Sequence, residues 1–92
     1  MKEIPASATS YKKTPDFTEE TVPAGLLKAH QTKEGIWAKI NISEGQLRYR
    51  ILEPEYEEVM LSTERYGVVE PTILHDVAPE GKVRFHLEFF RE

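Results

Sequence analysis

The sequence predicts an all-β domain, a sandwich or short barrel of antiparallel strands. Three observations predict it: apolar residues recur at every second position over much of the chain, turn-forming residues punctuate these runs at a spacing of roughly ten, and no stretch carries a 3.6-residue period. With 92 residues there is room for one core, so a single domain over 1–92 is expected. A hydrophobic fraction of 39%, a charged fraction of 30% and nine aromatic side chains (four Phe, four Tyr, one Trp) are those of an ordinary folded globule.

Residues 1–23 are rich in Thr, Ser, Lys and Pro, and Pro5, Pro15 and Pro23 leave no room for a useful helix. They read as an extended arm anchored by Tyr11 and Phe17, suited to covering a sheet edge or a neighbouring subunit. Leu26 to His30 reads as a short strand. From Ile36 to Ile51, Ile36, Ala38, Ile40 and Ile42 alternate with polar neighbours and Trp37, and then Leu47, Tyr49 and Ile51 do the same. Ser43-Glu44-Gly45 between them predicts a tight turn, hence a hairpin with one apolar face. Val59 and Leu61 mark another strand, Tyr66 to Glu70 a short one ended by Pro71, and Leu74 to Val77 one more. Pro79 to Lys82 carries turn chemistry, and Val83, Phe85, Leu87 and Phe89 then form the closing strand. The glutamates at 53, 55, 57 and 58, around Pro54, read as a solvated loop.

Composition removes several functions. A net charge of −4 offers no broad positive field for a phosphate backbone, so no nucleic acid is expected as a partner. The absence of cysteine rules out disulfides, thiolate zinc sites, iron–sulfur clusters and cysteine nucleophiles, leaving oxygen and imidazole donors for any metal. No apolar run approaches the roughly 18–20 residues a bilayer requires, and Met1 to Ser10 lacks the apolar segment of a secretory signal, so a cytoplasmic location and no membrane partner are expected. No Ser-His-Asp set, phosphate loop or dinucleotide fingerprint can be assembled, and Glu70 and Asp76 do not supply a paired-carboxylate cleft.

Two motifs stand out: His30-Gln31-Thr32-Lys33-Glu34-Gly35-Ile36-Trp37-Ala38-Lys39 and, about thirty residues later, Val69-Glu70-Pro71-Thr72-Ile73-Leu74-His75-Asp76-Val77. With Pro23, the Gly45 turn followed by Leu47, and Leu87-Glu88-Phe89-Phe90, they make the chain resemble the small cupin-like domains that occur alone in bacterial proteins and at the N-terminus of some tellurite-resistance methyltransferases (TehB-like). The resemblance implies a cupin-type double-stranded β-helix, a jelly-roll barrel of about seven to eight short strands. Its interior would hold a divalent metal or a small ligand. It implies no particular reaction, because cupins host oxygenases, isomerases, sugar-binding modules and sensors. The metal-binding cupin pattern has two histidines in an H-x-H arrangement, a glutamate shortly after and a histidine in the second motif. Here the first motif offers His30 alone, and the expected glutamate falls among Trp37, Ala38 and Lys39.

His75 matches the second-motif histidine and is the foremost ligand candidate, with His30 reaching the same cavity from a neighbouring strand. Together with Glu70 or water they would serve zinc, iron, manganese or nickel. His86 alternates with Arg84 and Glu88, opposite Val83, Phe85 and Leu87, and joins them only if that face lines the cavity. Trp37 and Lys39 share the face opposite Ile36, Ala38 and Ile40; Trp37 reads as a stacking platform or as an anchor for a second subunit. Lys33 and Lys39 would attract an anion if they flank the cavity and are ordinary surface charge if they do not.

Three functions are therefore expected to compete. One is a binding domain for a metal or a small anionic ligand, linked through the resemblance to tellurite or another toxic oxyanion. Another is a metal-dependent redox or isomerase enzyme, which needs a third protein ligand. The last is a non-catalytic interaction module. A homodimer is compatible with all three, given a small chain with sheet edges to cover.

Overall fold

A computed structural model describes residues 1–92. Six strands form one antiparallel sheet: β1 (Thr9–Lys13), β2 (Phe17–Thr18), β3 (Ile36–Glu53), β4 (Glu57–Leu61), β5 (Gly67–Val69) and β6 (Leu74–Arg91). There is no α-helix, and no helix is long and apolar enough to cross a membrane. The segment expected as a strand from Leu26 is instead a turn of 3-10 helix at Ala24–Leu27, because the Leu26 N–H closes onto the Pro23 carbonyl at 3.0 Å. Only His30 of that segment pairs with the sheet, through a bridge to His75.

The expected hairpin at 43–45 is not formed, and six strands stand where seven or eight short ones were expected. Ile42 and Leu47 are an odd number of residues apart, so a regular strand would send the two apolar sets to opposite faces. A turn corrects that mismatch, and so does one extra residue in a continuous strand. This chain uses the second device. Between the pairs Ile42–Phe85 and Glu44–Arg84, β3 gains Ser43, and between Gly45–Val83 and Gln46–Glu80, β6 gains Gly81 and Lys82. The turn expected at Pro79–Lys82 is therefore also a bulge. Gly45, at φ 79°, lies so close to β6 that a Cβ there would sit 1.9 Å from the Lys82 carbonyl oxygen. Only glycine allows both that conformation and that approach.

Straight strands of this length would run about 60 Å, yet the longest dimension of the molecule is 34 Å. The β3–β6 pair thus bends at its bulges and lays one half over the other. In the first half, Ile36–Ile42 pairs with Phe85–Arg91, flanked by β1 and β2 on β6 and by β5 on β3. In the second, Gln46–Glu53 pairs with Leu74–Glu80, and β4 lies on the other side of β3. Residues 57 and 58, expected in a loop, belong to β4, opposite Ile51 and Arg50.

Thirteen buried residues from both halves form one core, including Ile40, Ile42, Leu47, Tyr49, Leu61, Val83 and Phe85. Tyr49 ties the halves together: it is fully buried on the second, and its hydroxyl donates to the Val68 carbonyl of β5 at 3.0 Å. Desolvation raises the pKa of that hydroxyl well above the usual phenol range.

Candidate functional site

His30 and His75 exchange both backbone hydrogen bonds, each N–H to the other's carbonyl at 2.9 Å. Residues paired in this way project their side chains to the same face of a sheet. The two imidazoles accordingly stack obliquely, with ring centroids 4.1 Å apart and planes at 56°. Each ring is oriented by a carbonyl two residues earlier. Nδ1 of His30 lies 2.8 Å from the Lys28 oxygen, and Nδ1 of His75 lies 3.1 Å from the Ile73 oxygen. A carbonyl only accepts, so both Nδ1 atoms carry hydrogen, and a neutral ring then keeps its lone pair on Nε2.

His75 is 3% exposed. Burial pulls its pKa down to about 4, opposed by the Ile73 carbonyl and Asp76 and assisted by His30, so the ring is neutral near pH 7. The neighbouring Asp76 faces away and is bound by Arg50, whose Nε and terminal nitrogen donate to its two oxygens at 2.8 and 2.5 Å.

The loops that carry the two motifs are fastened to each other by Thr32. Its hydroxyl donates to the Ile36 carbonyl at 2.9 Å and accepts the Thr72 N–H at 3.4 Å, with the Glu70 carbonyl 3.5 Å away. Thr72 adopts a φ of 67°, a left-handed conformation that a β-branched residue takes only when its surroundings impose it.

Beside the imidazole pair lies a cavity of about 600 Å³. Its wall is apolar and drawn from both halves of the bent pair: Ala38, Ile40, Val77, Phe85 and Leu87 are all buried. Its rim carries Lys12, Lys33 and Arg91, all exposed, with the Arg91 guanidinium 4.1 Å from the centre of the Tyr11 ring. These three cations are the only fully charged side chains in the lining. None of the sixteen Asp and Glu residues contributes, although the chain is net negative.

Of the residues singled out from sequence, His30, His75 and Lys33 meet at this cavity. Trp37 and Lys39 lie on the other face of β3. Trp37 is 8% exposed and donates from Nε1 to a Glu92 carboxylate oxygen at 2.8 Å, while Lys39 sits 4.4 Å over the Tyr66 ring. His86 is outside the lining too, with Nδ1 3.9 Å from Asp16. Glu70 approaches Thr32 through its backbone carbonyl, and its side chain is absent from the lining. No group of three or more His, Cys, Asp or Glu side chains is poised around a common point. Two imidazoles alone do not fit the three-residue shells of catalytic zinc or non-haem iron.

Sequence reasoning missed Lys12 and Arg91. Arg91 continues the alternation of Phe85, Leu87 and Phe89, so its side was legible. Lys12 gave no such signal, because β1 pairs with β6 through an irregular register between Ser10 and Lys12 that only the folded strands reveal.

A family model described as TehB-like domain matches residues 12–87. The chain is 23% identical to the uncharacterized protein YeaR of Escherichia coli K12, over 98% of this chain and 83% of YeaR, and equally so to YeaR of Escherichia coli O157:H7. A crystal structure of an Escherichia coli K12 protein superposes with a TM-score of 0.88 at 21% identity, covering 98% of this chain and 96% of that one, which is a likeness of fold. The crystal structure of TehB from Haemophilus influenzae superposes with a TM-score of 0.86 at 25% identity; 95% of this chain is covered, but only 32% of the TehB chain. This chain thus spans about a third of that protein.

Proposed function

The chain belongs to the TehB-like domain family, and from that premise and the geometry of the cavity we propose that it is a binding domain that takes a small organic anion inside a cupin-type barrel. The observation that carries this reading is the partition of charge. In a chain with more acids than bases, the cavity draws three cations and no carboxylate to its rim and presents buried apolar side chains behind them. An anionic group is attracted to such a rim, and an apolar body gains by leaving water for such a wall. The volume lies in the range of small-molecule sites, about 300–1,000 Å³. A bare oxyanion such as tellurite would satisfy the cations and leave the apolar wall unused, so the lining favours an organic anion, with tellurite a ligand to test beside it.

Isothermal titration of the purified chain with 3-phenylpropanoate, its neutral amide, acetate and tellurite tests the reading. Saturable binding of 3-phenylpropanoate is expected, weakened by added salt and reduced several-fold in Lys33→Ala or Arg91→Ala, each contact contributing about 0.5–1.5 kcal/mol. Binding of the amide as tightly as the acid, or of none of the four, overturns it.

A further inference from the structure

Nε2 of His75 is a polar atom of the cavity wall whose partner is missing. The ring's only hydrogen bond is from Nδ1 to the Ile73 carbonyl. Among residues that are not exposed, Arg48 Nε is the sole side-chain polar atom both sealed from solvent and unpaired, so Nε2 of His75, unpaired, keeps access to solvent, and the cavity is the open space that His75 lines. A ligand that fills this space covers the lone pair. Covering an acceptor without offering a donor forfeits its hydrogen bond to water, whereas an O–H placed there replaces that bond. An ammonium would also donate, but it would enter beside Lys12, Lys33 and Arg91 with no carboxylate in the lining to offset them.

We propose that the ligand is a hydroxy acid: its carboxylate meets the Lys33 and Arg91 rim, its hydroxyl donates to Nε2 of His75, and its apolar body lies against the wall around Ala38 and Leu87. This rests on the reading that the cavity takes an organic anion, and adds the donor group that anion must carry. His30, whose Nδ1 is likewise committed to a carbonyl, presents a second Nε2 beside the first, with the ring centroids 4.1 Å apart. Burial keeps His75 neutral near pH 7 and so keeps its lone pair available.

The test compares three ligands of one skeleton by titration calorimetry at pH 7 in the presence of EDTA: 2-hydroxy-3-phenylpropanoate, 3-phenylpropanoate and 2-methoxy-3-phenylpropanoate. The hydroxy acid is expected to bind about tenfold more tightly than either of the others, because the methyl ether keeps the oxygen and loses the donor. In His75→Phe the three affinities should converge to within about twofold, in His75→Gln part of the preference should return, and in Lys33→Ala all three should weaken with their ratio unchanged. The methyl ether keeps the test decisive should His75 variants fail to fold. Equal binding of the hydroxy and deoxy acids, or of the ether, overturns the hydroxyl contact and leaves the anion reading standing. Failure of all three to bind overturns both. A preference that appears only without EDTA assigns it to a metal and overturns the direct contact.

Discussion

Around Leu61 the two halves of the bent strand pair close on each other, whereas around Ala38 the same pair lines an open cavity of about 600 Å³. Both regions contain a residue with little or no side chain, yet their consequences are opposite. At Gly67 the missing side chain is replaced by its neighbours: a Cβ there would lie 2.7 Å from a Leu61 methyl and 3.2 Å from Ile40 Cδ1. At Ala38 the side chain ends at Cβ in the wall of the cavity, between its cross-strand neighbours Phe89 and Val69. Tyr49 stands between the regions, its hydroxyl bonded to Val68 and its ring edge-on to His75 at 5.8 Å. The hollow is therefore not general looseness of a small core. At one end side-chain methyls already occupy the place of the missing side chain, and the space is gathered where the histidines and the rim cations are.

The contrast breaks most directly at its packed end. Leu61 is fully buried, and Leu61→Ala removes the group that fills the space over Gly67. A loss of about 3 kcal/mol is expected in urea denaturation, transfer and cavity contributions together. A loss below about 1 kcal/mol would mean that this end relaxes readily and is no better packed than the other.

Acid acts at the boundary between the two regions. The folded pKa of His75, about 4, lies below the ordinary 6.5, so the unfolded chain takes up the proton first. The stability that depends on a neutral His75 is therefore fully present above pH 6.5 and declines as the pH falls toward 4. With allowance for the ring's partial contact with solvent, about 2 kcal/mol should be lost across that interval. His30 and Asp76 are the ionisable neighbours that shape the transition. Denaturation midpoints measured from pH 7 to 4 should fall more steeply in wild type than in His75→Phe, and parallel curves would show that His75 is not the group being titrated.

The packed region was more legible in the sequence than the hollow one. Alternation at Ile42, Leu47, Tyr49 and Ile51 reports one buried face, and burial of that face is what the core requires. The same alternation says nothing of whether a phase change at 43–45 is a turn or a bulge, because both restore the face. That choice is made by Gly81 and Lys82, almost forty residues away, which supply the matching irregularity on β6. The parity that set Trp37 and Lys39 opposite Ala38 was sound, and in the structure it is Ala38 that lines the cavity. His30 and His75 were legible through their motifs, whereas their pairing depends on a single bridge from His30, which lies outside any strand, to β6. Lys12 and Arg91 come together only because the first and last strands pair, and a contact made across almost the full length of the chain leaves no local pattern.

The smallest expected effect on stability gives the finest separation of the two regions. Gly67→Ala adds one carbon where Leu61 and Ile40 already occupy the position, and about 1–2 kcal/mol should be lost as they shift. Ala38→Leu adds three carbons, and in a filled core it would cost more. At Ala38, however, they would extend toward the cavity that Phe89 and Leu87 also line, where new apolar contact offsets the lost rotamer freedom of the leucine. Its stability should stay within about 1 kcal/mol of wild type, while affinity for 3-phenylpropanoate falls at least tenfold because the leucine occupies the ligand's place. Equal destabilisation by the two substitutions would mean that the cavity collapses in solution. A stable Ala38→Leu protein that still binds the acid at full strength would move the ligand elsewhere, since no ligand of that size shares this wall with a leucine at position 38.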